Sequence, residues 1–128
     1  MSDFTIMNLK DVDDAAAGRS TGIEARFGRK HLDSEHLGVS YFRYSPGVRP
    51  GYGHRHREQE EAYVVVGGSG RIRLDDEIVE VKQWDVIRVA PNVLRAFEGG
   101  TEGLELIAIG SDRPEGGDGQ MVTDFWTD

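Results

Sequence analysis

His54-Arg55-His56-Arg57-Glu58-Gln59-Glu60-Glu61, followed within two residues by the apolar run Tyr63-Val64-Val65-Val66, is the part of this chain that says most about its fold. In extended backbone the side chains at i and i+2 leave the same face. His54 and His56 can therefore aim two ring nitrogens at one point, with Arg55, Arg57 and Glu58 turned to solvent. A carboxylate from the next strand can then add an oxygen. Two histidines and one carboxylate are the facial arrangement used by non-haem Fe(II) sites, and such a set also suits other divalent transition metals.

Working outward, the chain is built of short apolar or alternating segments separated by Gly, Asp and Pro. Phe4 to Leu9 reads as a first strand, and 11–19 as a polar stretch with one helical turn around Ala15-Ala16-Ala17. Ile23 to Phe27 and Val39 to Tyr44 are rich in aromatic and β-branched residues and read as strands, the second closed by Ser45-Pro46-Gly47. Between Arg71 and Val89, Ile72 and Leu74 alternate, Asp75-Asp76 makes a turn, Ile78, Val79 and Val81 follow, and Trp84 to Val89 forms another short strand. Pro91-Asn92 is a turn, with strands expected at Leu94 to Phe97 and Leu104 to Ile109. Eight or nine close-spaced strands without an amphipathic helical pattern predict an all-β sandwich or barrel. From Ser111 the chain shows turn chemistry without periodicity. It closes on Met121-Val122 and Phe125-Trp126, apolar residues that need a surface to dock on.

The 128 residues suit one domain with a core of its own. A net charge of −8 and a pI near 4.9 argue against nucleic acid and anionic membrane as partners. With 17 Gly but only 4 Pro, the composition fits tight turns between strands better than a linker. No cysteine is present, so disulfides, thiolate metal sites and thiol nucleophiles are excluded. Met1 to Lys10 lacks the basic start and apolar stretch of a signal peptide, and the apolar runs are far below the ~20 residues of a membrane span. A cytoplasmic location is the expectation.

The spaced set Pro46-Gly47, His54-x-His56, four residues, Glu61, six residues, Gly68 resembles the first motif of the cupin superfamily, in particular the small single-domain cupins with one conserved barrel. Asp85 to Asn92 and the spacing from Pro91 to position 95 match the second motif in outline. The resemblance implies a jelly-roll β-barrel (a double-stranded β-helix) over 21–110, preceded by an N-terminal segment, 1–20, and followed by a tail, 111–128, docked on the barrel or on a partner chain. It further implies that His54, His56 and Glu61 point into the barrel and hold a divalent transition metal (Mn, Fe, Zn or Ni), the spacing to Gly68 favouring Glu61 over Glu60. A homodimer is expected too, since small cupins commonly pair through their outer sheets.

Three positions depart from the family pattern. Asn92 replaces a Gly after Pro, a mild change because Asn tolerates left-handed backbone. Trp84 sits where a turn Gly is common. Arg95 stands where the family places a further histidine ligand. Arginine stays protonated and cannot ligate. At about 5 Å it would repel a divalent ion by roughly 6–7 kcal/mol at an effective dielectric near 20.

Two function classes follow. One is a metal-dependent enzyme, of isomerase or dioxygenase type, acting on a small oxygenated substrate. The other is a non-catalytic module for an anionic or sugar-like ligand, in which Arg95 grips a carboxylate or phosphate and the histidines hydrogen-bond to it. Tyr63, Tyr44 and Phe97 are the expected ligand-binding walls beside Arg95, while Tyr41, Phe42 and Trp84 are placed in the core or the pocket. His31 and His36, among polar residues, are read as surface histidines.

Overall fold

A computed structural model describes residues 3–126 and 128. The strands are β1 (Ile23–Phe27), β2 (Gly38–Tyr44), β3 (Tyr52–His56), β4 (Glu61–Leu74), β5 (Glu77–Lys82), β6 (Val86–Val89), β7 (Arg95–Gly110) and β8 (Gly119–Thr123), with one short helix, α1 (Arg29–Leu32), and a 3₁₀ turn at Leu9–Asp11. All eight strands belong to one antiparallel sheet in which β1-β2-β7-β3-β8 run side by side, while β4 joins β7 to β5 and β6. The sheet curls into a jelly-roll barrel. Among the described residues no helix is long and apolar enough to cross a membrane.

The long strands β4 and β7 make the curl possible. They pair from Glu61↔Gly110 to Leu74↔Arg95, with register shifts between Val65 and Gly67 and between Gly68 and Gly70. Such bulges bend and twist a strand. At the bend Gly68 has φ +69°, and a Cβ there would lie 2.0 Å from the Gly103 carbonyl oxygen, so the two backbones meet where only glycine fits. Alternation sends Tyr63, Val65 and Ile72 of β4 and Phe97, Leu104, Leu106 and Ala108 of β7 inward. With Tyr44, Val81 and Val89 they form the core.

The structure departs from the expected elements at several points. Residues 4–8 form no strand: Phe4 and Ile6 are exposed, no neighbouring strand pairs with them, and the Asn8 side chain accepts from the Lys10 amide to start the 3₁₀ turn. The two strands expected after Asn92 are one, because the glycines between them are absorbed as bulges in β7. Trp84 is not a core or pocket residue. It sits at φ +75° in the turn before β6, 70% exposed, at the position where a turn glycine would be common. The segment after Gly110 does more than dock: residues 119–123 become β8 on the free side of β3. Phe125 then packs against the backbone of Gly53, and Trp126 lies against the Arg49 guanidinium.

Candidate metal centre

Period-2 geometry on β3 sends His54 and His56 inward, their rings edge to face with centroids 5.1 Å apart. Glu61 opens β4. Its Oε1 lies 3.5 Å from His54 Nε2 and 3.2 Å from His56 Nε2. Donor atoms of these three residues all fall within 4.8 Å of one another, close enough to hold one metal ion. Glu60 faces out to Arg88, as strand alternation requires. His31 is exposed, and His36 is at the surface beside Asp112.

Arg95 enters from β7, where it is the register partner of His54. It is wholly buried. Its Nη2 donates to Glu61 Oε1 at 2.7 Å, its Nε to the Tyr63 hydroxyl at 3.2 Å, and its Nη1 to the carbonyls of Pro91 and Val93 at 3.1 and 2.7 Å. The Tyr63 hydroxyl in turn donates to Glu61 Oε1 at 2.6 Å. Four of the five guanidinium N–H groups are thus taken up inside the protein. A bidentate clasp on a ligand would require some of these bonds to break.

One residue at the site was not legible in the sequence. Asp118, whose side chain is wholly buried, accepts from His56 Nδ1 at 2.9 Å, from Gln59 Nε2 at 2.6 Å, and from the amides of Glu58 and Gln59. With its Nδ1–H donated to ionised Asp118, His56 in its neutral form carries its lone pair on Nε2. That atom is buried and has no hydrogen-bond partner among the described residues: it lies near Glu61 Oε1, but off the line of a hydrogen bond. An imidazole oriented by a carboxylate, with its other nitrogen free, is the usual setting of a histidine ligand. The donor set therefore fits a divalent ion.

The electrostatics follow from the same contacts. Burial pushes the Glu61 carboxyl up, but the close His54 and His56 rings, the Tyr63 hydroxyl bond and the charge of Arg95 outweigh it and hold the group well below the carboxylate range. His56 is raised, chiefly by Glu61 and then by Asp118, with burial and Arg95 opposing. Burial resists ionisation of Asp118, yet its bonds from Gln59, Glu58 and His56 keep it ionised. Burial keeps the Tyr63 and Tyr44 phenols neutral.

No family model and no curated protein matches the chain, but solved structures do. A cupin protein from Bacteroides fragilis superposes with a TM-score of 0.72 at 22% identity, covering 89% of this chain and 88% of that one. KdgF from a Halomonas species gives 0.69 at 14% identity over 88% and 98%. Oxalate decarboxylase from Bacillus subtilis gives 0.73 at 22% identity, but this chain spans only 32% of that one. The chain has the cupin fold. Identities this low carry the fold and nothing finer.

The interior of this cupin barrel holds a cavity of about 630 Å³. His54, His56, Glu61, Tyr63 and Arg95 lie on one side, with Phe42, Tyr44, Phe97 and Leu106 on the apolar wall. Tyr63, Tyr44 and Phe97 thus line the same space as the His-His-Glu group, and Tyr63 and Phe97 pack edge to face at 4.9 Å. Tyr41 is buried outside the cavity, where its hydroxyl donates to Glu105.

Proposed function

We propose that this cupin binds a small oxygenated molecule in the barrel interior, at a divalent transition metal held by His54, His56 and Glu61. The observation carrying this reading is His56: its Nδ1 is engaged by Asp118, and its buried Nε2 faces the other two donors without a hydrogen-bond partner. With Arg95 in the remaining inward position, the protein offers three ligands and leaves coordination sites open, as a catalytic rather than a purely structural centre requires. A bound divalent ion would supply Lewis-acid polarisation of a substrate oxygen. Tyr63 and Arg95 hold the Glu61 oxygen in place, and Phe97 and Tyr44 keep water from the apolar side. Of the enzyme classes open to such a site, isomerase or dioxygenase chemistry is the finer proposal.

Titration of untagged protein with Mn2+, Fe2+, Zn2+ and Ni2+ should show saturable binding that His56→Ala and Glu61→Gln abolish. A second reading, a metal-free binding module, is favoured by the 2.7 Å Arg95–Glu61 ion pair, which already neutralises the carboxylate. No metal binding at millimolar concentration would select it.

A further inference from the structure

The cavity wall carries three arginines, Arg29, Arg95 and Arg113, against two carboxylates, Glu61 and Asp118. This excess of positive charge sits in a chain whose net charge is −8. Arg95 is matched by Glu61, and Asp118 is satisfied by His56, Gln59 and two amides. The three arginines and two carboxylates leave one positive charge over, and Arg29 and Arg113 are the two arginines without a carboxylate partner among the described residues.

Arg29 is built into the wall. Its Nη2 donates to Gln59 Oε1 at 3.1 Å and to the Ser111 carbonyl at 2.6 Å, both neutral acceptors. Its guanidinium lies in a slot over two glycines: a Cβ at Gly38 would come within 2.5 Å of Nη2, and one at Gly110 within 3.2 Å. Gln59 in turn donates to Asp118, which holds His56. The arginine is thereby fixed relative to the His-His-Glu group through partly buried bonds. Arg113 is exposed, lies over Gly117, and has no hydrogen bond or ion pair among the described residues.

We propose that the ligand of this cavity is a small organic carboxylate, anchored by Arg29 and drawn in by Arg113, with its apolar body against Phe42, Phe97 and Leu106. A planar guanidinium held at one edge still presents N–H groups to a carboxylate. The apolar wall suits a monoanion with a hydrocarbon body better than a heavily hydrated phosphate. The inference rests on the barrel-interior ligand reading above and differs from the idea that Arg95 grips the anion.

Calorimetric titration of the full chain with benzoate, and with benzamide as its neutral counterpart, tests it, with metal content measured on the same samples. Benzoate should bind about tenfold more tightly than benzamide. Arg113→Gln, an exposed change that leaves the fold intact, and Arg29→Gln should each weaken benzoate roughly three- to tenfold and leave benzamide unchanged. Equal affinity for the two probes, equal losses of both in Arg113→Gln, or binding of neither at millimolar concentration overturns the proposal. Metal retained alongside such a result leaves the metal reading standing. A benzoate preference in protein that also takes up no added metal at millimolar concentration fails only the metal reading.

Discussion

Arg95 Nη2 and Glu61 Oε1 lie 2.7 Å apart, with the arginine side chain wholly buried and the glutamate nearly so. A fixed monocation therefore sits beside the carboxylate that is the third member of the His-His-Glu group. In protein without metal it compensates a charge that burial would otherwise penalise. In protein with metal it opposes the incoming ion.

Replacing Arg95 separates these two effects. Arg95→Ala leaves Glu61 buried without its partner, at a cost of about 3–5 kcal/mol in metal-free protein. Adding Zn2+ or Mn2+ should restore much of that loss, since a ligand that binds only the folded state stabilises it. Arg95→His removes the repulsion and adds a donor, so metal affinity should rise by about two decades or more, with Arg95→Ala intermediate. Calorimetric titrations and melting curves of the three proteins measure both effects. Equal affinity throughout would mean that the guanidinium does not oppose the ion.

Asp118→Asn should weaken metal binding by about 10–100-fold, because an amide no longer fixes the His56 tautomer with its lone pair on Nε2. Circular dichroism should show the barrel intact. Unchanged affinity would show that His56 is oriented without Asp118.

Acid should destabilise the fold through carboxylates remote from the cavity as well. Hydrogen bonds from Lys10 first, then Arg26 and Arg43, hold Glu24 at about 2 against an ordinary 4.5. A folded-state value below the unfolded one contributes stability that is full above about 4.5 and is lost as pH falls through about 2. Asp14 and Asp128 shift in the same direction. Glu24→Gln should lower the melting temperature at pH 7 and narrow the gap between pH 7 and pH 3. If that gap is as wide as in the parent, Glu24 does not carry the effect.

The tail should matter for stability. Deleting residues 119–128 removes β8 from its pairing with β3 and uncovers the site of Phe125, 6% exposed. Phe125→Ala alone should cost about 3 kcal/mol or more, and either change should lower the melting temperature by roughly 10 °C. Melting curves that overlay the parent's would show that the tail contributes nothing.

The outer face of the sheet predicts a homodimer. Ile107, Val64 and Val86 stand in one register row across β7, β4 and β6, with Ile109 and Ala62 beside them. Val86 and Ile109 are 64% and 38% exposed. A self-complementary apolar row is what a two-fold pair buries. Light scattering should give twice the 14.2 kDa chain mass, and Val64→Glu should return it to one. A parent protein that runs as one chain at micromolar concentration would count against the pairing.

The alternation of apolar residues, the turn chemistry and the two-residue spacing of His54 and His56 are local properties of extended backbone, so the sequence by itself determined the β architecture and the shared face of both histidines, while their inward aim was an expectation from the motif resemblance. The choice of Glu61 over Glu60 was legible only through the family spacing to Gly68, since strand alternation separates the two faces without saying which is inner. Tertiary structure alone decided what surrounds them. Asp118 reaches His56 across 62 residues of sequence because β8 returns to pair with β3, and nothing in the turn-rich run around Asp118 marks that return. The inward turn of Arg95 depends on its register opposite His54 and on the carbonyls of Pro91 and Val93, neither of which is encoded within one strand. Arg29 becomes a cavity residue only because Gly38 and Gly110, far apart in the chain, leave a slot for its guanidinium. Phe4 and Ile6 failed as a strand for the converse reason. Their alternation was right, but a strand exists only where the fold supplies a partner for its backbone hydrogen bonds.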